Sequence, residues 1–261
     1  MASAEARKVA VITGASSGIG AETAVTLAKA GYNLSITGRD EAALEAVKQE
    51  CVAACKDHKI EVVITVGDIT KEEVAKKIVD NTIAKFDRLD ALVNAAGILV
   101  GGGAAKLPIS DYDKQFDVNV RSMIIITQAC IPHLIKTQGS IVNVSSIAGI
   151  CSFAGATYYC MSKAAVDMFT KCLALELAPK QVRVNAVNPG VIRTNVHKRA
   201  GMNEEEYKQF LEHSKTTHAL GRVGEADEVA KAIAFLAGAD SSFTTGVLLP
   251  IDGGRGIMAP R

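Results

Sequence analysis

Lys8-Val-Ala-Val-Ile-Thr-Gly-Ala-Ser-Ser-Gly-Ile-Gly20 is the stretch that decides the fold. Its first half is a short apolar run. Its second half is punctuated by glycine and leads into a segment of helical period, Ala21–Ala30, that stops at Gly31. A strand, a tight turn and a helix make half of a strand–helix–strand unit, and the same alternation continues along the chain. Strands are predicted at Lys8–Ile12, Asn33–Thr37, Glu61–Val66, Ala91–Asn94, Ser140–Val144, Val182–Val187 and Val247–Ile251. Helices are predicted between them at Asp40–Lys56, Lys71–Phe86, Asp113–Lys136, Tyr159–Ala178 (ended by Pro179) and Glu225–Ala237. Most of the strands are continuously apolar, which suits a parallel sheet covered on both faces. The expectation is an α/β fold: one doubly wound sheet of about seven strands with helices on both faces. Such a sheet uses the whole chain, so residues 1–261 are read as a single domain.

Composition narrows the function classes. Of the 261 residues, 48% are hydrophobic and 22% charged, which excludes a mainly disordered chain. The 29 basic and 28 acidic residues leave a net charge of +1, so the footprint of a nucleic-acid binder is missing. The apolar runs Ala95–Val100 and Met123–Ile126 fall far short of the roughly 20 residues of a membrane span. The N-terminal MASAEARKVAVITG lacks a stretch of secretory length, and the C-terminal MAPR carries no lipidation or retention signal. Six cysteines without a CxxC pair read as reduced thiols, and the expected location is cytoplasmic. The sequons at Asn33 and Asn143 fall within predicted strands. The five histidines (His58, His133, His197, His213, His218) show no ligand spacing, so no metal is expected.

The glycines carry a chemical reading. Gly14 permits the tight turn, Gly18 lets backbone approach a pyrophosphate, and Gly20 allows close helix–strand packing. Ser16, Ser17 and Ile19 complete a loop whose helix N-terminus offers free N–H groups to an anion. An ordinary strand-to-helix turn could hold the same glycines, but the strand before and helix after favour a dinucleotide site. Enzymes using NAD place an acid about 20 residues further on. Here the second strand ends Thr37-Gly38-Arg39, and an arginine can face a 2′-phosphate. NADP(H) is therefore the preferred cofactor, with NAD(H) possible; a solvated surface arginine is the alternative for Arg39. Asp40 reads as an N-cap.

Tyr159 and Lys163 stand four residues apart and share a helix face, whereas Tyr158 does so less well. A phenol with its reference pKa of about 10 is a poor base at neutral pH, and a neighbouring ammonium lowers it. Such a phenol can donate or accept a proton as a carbonyl and an alcohol interconvert, with a serine hydroxyl steadying the oxygen. Alone, the pair could also be an amphipathic accident.

Taken together, TGASSGIG (13–20), NAAG (94–97), the serine strand, YCMSK (159–163) and NPGVIRT (188–194) resemble the short-chain dehydrogenase/reductase family over nearly the whole chain. The resemblance implies a Rossmann-type sheet and NAD(P)(H)-dependent interconversion of alcohols and carbonyls. It implies that Tyr159 is the acid–base group, that Lys163 lowers its pKa and holds the nicotinamide ribose, and that Ser146, thirteen residues before the tyrosine, binds the substrate oxygen. Asn119 matches the asparagine that holds a water linking the lysine to solvent; by itself it reads as a helix-start or turn asparagine. Asp68 and Ile69 match the adenine contact, although Asp68 could equally cap the next helix. Asn94 and Gly97 match the small residues beside the cofactor, and Pro189, Gly190, Ile192 and Thr194 match the carboxamide-binding segment. Ser17 departs from the basic residue many NADP-preferring relatives carry there, which leaves more of the phosphate recognition to Arg39.

The polar stretch 195–221 is read as a substrate lid. Within it Glu204–Thr217 forms a candidate helix whose Tyr207, Phe210 and Leu211 make one apolar face. Either an apolar substrate or packing against the body would use that face. Phe153 and Tyr158 are further aromatics near the site, and Cys151 and Cys160 read as small core residues. The expected substrate is a small, largely apolar carbonyl or alcohol. The alternatives are a 3-oxoacyl thioester bound through an acidic carrier, with Arg121, Lys198 and Arg199 as candidate cations, or a steroid or retinoid alcohol oxidised with NAD. The family resemblance also implies a homo-oligomer, tetramer or dimer, built on the helices Asp113–Lys136 and Tyr159–Ala178.

Overall fold

Seven parallel strands form one sheet in the order β3-β2-β1-β4-β5-β6-β7. They are β1 (Val9–Thr13), β2 (Asn33–Gly38), β3 (Val62–Val66), β4 (Ala91–Asn94), β5 (Ser140–Val144), β6 (Arg183–Pro189) and β7 (Leu248–Ile251). The computed structural model describes residues 7–55 and 59–258. The terminal MASAEA and APR, Lys56 at the end of the second expected helix, and His58 lie outside the described residues.

Side chains alternate across each strand and so build two cores. Ala10 and Ile12 of β1 face α1 (Gly18–Lys29), α2 (Glu41–Ala54) and α9 (Ala226–Ala237) through Leu27, Leu44, Val47 and Ile233. Val11 faces the opposite layer, α3 (Glu72–Phe86), α5 (Ser122–Thr137) and α6 (Thr157–Leu177), through Ile78, Ile126, Leu134 and Leu173. This is the expected doubly wound arrangement with helices on both faces. Its strand order reverses between β1 and β4, which opens a crevice at their carboxyl ends.

The ends of elements show why the sequence stops where it does. Gly31 takes φ +83° just past α1, and its N–H donates to the Ala28 carbonyl at 2.8 Å. Asp40 caps α2, accepting from the Ala43 N–H at 3.0 Å as expected. Asp68 does not cap α3: its Oδ1 accepts from the Thr70 N–H and hydroxyl, and Lys71 holds the cap position without a side-chain bond.

Two expectations need correction. The helix expected at Asp113–Lys136 begins earlier and is not uniform. It comprises α4 (Ile109–Phe116), a π-turn at Asp117–Arg121 and α5, in one continuous run. That run, Ile109–Thr137, is long and apolar enough to cross a membrane by length and composition alone. Looking for an uninterrupted apolar string missed it, because its polar residues are dispersed. In the fold its apolar residues Met123, Ile126, Cys130 and Leu134 are buried.

Candidate active site

The coenzyme end is a matter of backbone clearance. At Gly14, φ +65°, an added Cβ would stand 2.7 Å from the Ala96 Cα. At Gly20 an added Cβ would collide with the Gly14 carbonyl oxygen, and at Gly18, φ +58°, it would stand 3.2 Å from Thr194 Cγ2. Thr13 Oγ1 accepts from the N–H groups of Ala95 and Ala96, each at 3.1 Å, and so ties β1 to β4 at the crevice. Ser17 occupies the N-cap of α1 without a side-chain cap bond, and the first turn holds no acid. Its orphan N–H groups are therefore free for an anion, and the cradle fits a dinucleotide pyrophosphate. Arg39 is exposed at the end of β2 and has no ion pair among the described residues. Ser16 Oγ lies beside Gly38, 3.1 Å from where a Cβ would be.

The second cluster is built by β5, the π-turn and α6. Asn119 is buried in the π-turn, a distortion often found at functional sites. Its Oδ1 accepts from the Ile98 N–H at 2.8 Å, while its Nδ2 donates to the Ile98 carbonyl at 2.9 Å and to Ser162 Oγ at 3.1 Å. A Cβ on Gly97 would lie 3.5 Å from Asn119 Oδ1 and 3.7 Å from Lys163 Nζ. The missing side chain thus leaves a gap where amide and ammonium converge. Lys163 Nζ donates to the Val144 carbonyl at 2.9 Å and lies 5.7 Å from the centre of the Tyr159 ring. Ser146 is close enough to hydrogen-bond with the Tyr159 side chain, and its Oγ accepts from the Ala148 N–H at 3.1 Å. Ser145 turns the other way and donates to the Lys163 carbonyl at 3.2 Å. The choice of Ser146 over Ser145 thus follows the geometry, although both lie just past the end of β5.

The family model described as Enoyl-(Acyl carrier protein) reductase matches residues 14–255. L-xylulose reductase of Caenorhabditis elegans is 38% identical over 247 residues, 94% of each chain. A 3-oxoacyl-[acyl-carrier-protein] reductase of Thermotoga maritima is 37% identical over 95% of this chain and 97% of its own. The crystal structure of a short-chain dehydrogenase/reductase from Caenorhabditis elegans with cofactor superposes with a TM-score of 0.91 at 32% identity, covering 97% of this chain and 96% of that one. The chain belongs to the short-chain dehydrogenase/reductase family. It is an NAD(P)(H)-dependent oxidoreductase acting on CH–OH and C=O groups.

In this short-chain dehydrogenase/reductase the protonic balance differs from the sequence expectation. The Tyr159 phenol is not lowered: burial pushes it up to about 12, against a smaller downward pull from Ser146. Burial also brings Lys163 down to about 8, with Asp167 opposing. Burial is the larger cause for both groups, and the Lys163 ammonium donates to the Val144 carbonyl.

Several family-matched side chains point elsewhere. Asn94 is buried, and its Nδ2 donates to Thr127 Oγ1 at 3.1 Å and to Asn143 Oδ1 at 2.9 Å. Ile192 is buried in the core beside Gly224. Tyr158 packs edge-on against Tyr112 of α4, with ring centres 5.6 Å apart. Pro189 and Gly190 end β6, where the Gly190 N–H donates to the Ile251 carbonyl at 3.1 Å.

Sequence reading missed Asp167 and Asn188. Asn188 Nδ2 donates to both Asp167 carboxylate oxygens at 3.0 Å and to the Ser146 carbonyl at 2.9 Å. Asp167 is buried one turn beyond Lys163, and burial holds its carboxyl above the usual range. The four-residue spacing Tyr159, Lys163, Asp167 was the available signal.

The segment 195–221 is partly helical as expected, with α7 (Val196–Arg199) and α8 (Glu204–Thr216). Asn203 and Glu206 cap α8 reciprocally. Tyr207 and Leu211 are buried against Val191 and Val223, so packing takes that part of the apolar face. Phe210 stacks on His197 with ring centres 4.3 Å apart, and the Tyr207 hydroxyl donates to the Thr194 carbonyl at 2.9 Å.

Proposed function

We propose that this enzyme reduces the carbonyl of a small, largely apolar substrate with NADPH, or oxidises the alcohol in reverse. The observation that carries the reading is the convergence of Ser146, Tyr159, Lys163 and Asn119 beside the glycine cradle. The bound reduced nicotinamide supplies a hydride to the carbonyl carbon. Tyr159 gives its hydroxyl proton to the carbonyl oxygen, yielding the alcohol, and Ser146 donates a hydrogen bond to that oxygen. The Tyr159 hydroxyl is protonated at neutral pH and so can act as the proton donor. Lys163 and Asn119 flank the gap at Gly97, where a water would reprotonate the tyrosine.

On the coenzyme side, Gly14, Ser16, Ser17, Gly18, Ile19 and Gly20 hold the pyrophosphate region. Asp68, Ile69, Asn94 and Gly97 line the adenine and ribose side, and Pro189, Gly190, Ile192 and Thr194 the carboxamide side. Arg39, exposed and without an ion pair among the described residues, favours the 2′-phosphate of NADP(H) over NAD(H). The segment 195–221 is the substrate lid, tethered through Tyr207 to Thr194. The acyl-carrier alternative loses support because two of its three candidate cations are neutralised. Arg121 pairs with Glu72 and Lys198 with Glu204, both at 2.7 Å.

We also infer assembly with a second copy through α6. Met161, Met168 and Leu175 repeat every seven residues along one exposed edge, at 46%, 60% and 78% exposure. Such a stripe is self-complementary about a two-fold axis. Sedimentation of Leu175→Glu beside the parent chain tests this, and equal mass for both rejects that interface. The catalytic reading is tested with aldehydes, ketones and diketones, following oxidation of NADPH and NADH. Faster NADPH oxidation is expected; no oxidation of either coenzyme across the panel overturns the reading.

A further inference from the structure

Arg255 opens the short turn Arg255–Ile257 that follows β7. Its guanidinium carbon lies 4.9 Å from the centre of the Phe153 ring. Phe153 belongs to the segment joining Ser146 to the Tyr159 helix, and Cys151 of that segment donates to the Gly256 carbonyl at 3.7 Å. The C-terminal turn therefore packs on the segment that joins Ser146 to α6. The Arg255 charge also acts at longer range on His197 of α7 and on His218 just beyond α8.

Arg255 is half-buried, and burial lowers its pKa. Its backbone N–H donates to the Asp252 carbonyl at 3.0 Å, but among the described residues no carboxylate pairs with its guanidinium and no acceptor takes the guanidinium N–H groups. The nearest acid, Asp252, is turned onto its own loop. Its Oδ1 accepts from the Gly254 N–H at 3.0 Å, and its Oδ2 from the Gly256 N–H at 2.6 Å. A partly dehydrated guanidinium with its fork unmade costs stability until an acceptor completes it. The Phe153 face beneath fixes the plane of that fork.

We propose that Arg255 binds a carboxylate on the substrate, at the end away from the reacting carbonyl, so that the enzyme's substrates are oxo acids and the corresponding hydroxy acids. A planar fork on an aromatic face matches a planar carboxylate in two parallel hydrogen bonds. Burial and the Arg255 charge both favour neutral His197 and His218, so neither histidine adds a second positive charge beside Arg255. The Arg255 charge, with Asp252 close by, suits a monoanion better than a phosphate dianion. The inference rests on the carbonyl-reductase reading and replaces its largely apolar substrate with one charged at the far end.

The test uses the full-length enzyme with saturating NADPH and paired substrates: 2-, 3- and 4-oxo acids and their methyl esters. The parent enzyme should favour each accepted acid over its ester in kcat/KM. Arg255→Ala should reduce that acid-to-ester ratio by about 10- to 100-fold, mainly through KM, and Arg255→Lys should restore part of it. An ester preferred over its acid, or a ratio unmoved by Arg255→Ala, overturns the inference. So does turnover of other neutral carbonyls with neither acids nor esters accepted. If no carbonyl of any kind is reduced, the underlying reading fails as well.

Discussion

The coenzyme end and the substrate end of the same crevice are made of different materials. Around Gly14–Gly20 the shape is backbone: glycines pressed against Ala96 and Gly14, a helix start without a side-chain cap, and one threonine tying two strands. Across the crevice the shape is side chain: Tyr207 on Thr194, Phe210 on His197 and Arg255 on Phe153. Backbone clearance tolerates almost no substitution, whereas side-chain contacts can be exchanged without disturbing the sheet. A shared coenzyme with differing substrates is the natural outcome of that division.

The chemistry lies where the two ends meet, and removing it should have the largest effect. Tyr159→Phe is expected to lower turnover by about 10²–10⁴ while leaving NADPH affinity unchanged. Stopped-flow rates with a parallel binding titration would show both, and unaltered turnover would remove Tyr159 from its role. Next comes Arg39→Asp, expected to weaken NADPH by about 10- to 100-fold and to favour NADH. Dissociation constants for both coenzymes decide it; equal losses for the two would mean that Arg39 does not read the 2′-phosphate.

Gly20→Ala tests the claim about backbone clearance directly. The clash with the Gly14 carbonyl should cost about 1–3 kcal/mol in denaturant unfolding and weaken coenzyme binding. A fully stable variant with intact binding would break the contrast drawn between the two ends. Tyr207→Phe, on the substrate side, removes one tether and should raise substrate KM by only about 2- to 10-fold. Coenzyme affinity should fall less than this, through the Thr194 carbonyl that loses its partner.

The smallest effect concerns pH. Asp167 has its folded pKa raised, so its stabilising contribution is present below its unfolded pKa and lost as pH rises through the folded value. Asp167→Asn cannot ionise and escapes that loss. The variant's Tm relative to the parent should therefore climb as pH rises from the acid range toward neutrality. A Tm difference that stays flat with pH would remove the raised carboxyl from the account.

What the sequence made legible follows the same division. Gly14, Gly18 and Gly20, and the four-residue step from Tyr159 to Lys163, are local patterns imposed by φ and by helical period. The single doubly wound parallel sheet follows from continuous apolar runs with helical crossovers, whereas its strand order appears only in the fold. Direction was harder to read. Nothing in the local sequence says that the Lys163 ammonium turns to Val144, or that the Asn94 amide faces Thr127 and Asn143. Arg255 and Phe153 are remote in the chain, and only the closed fold makes them neighbours.

The π-turn at Asp117–Arg121 leaves one last consequence. It holds an extra residue per turn, so α4 and α5 are out of phase by roughly 100° compared with an unbroken helix. Deleting a single residue there would smooth the cylinder and leave every named motif readable. It would also dial Gln115, which accepts from the Val100 N–H, away from the loop it braces. Such a lesion would pass any motif scan and still misalign the wall opposite the tyrosine.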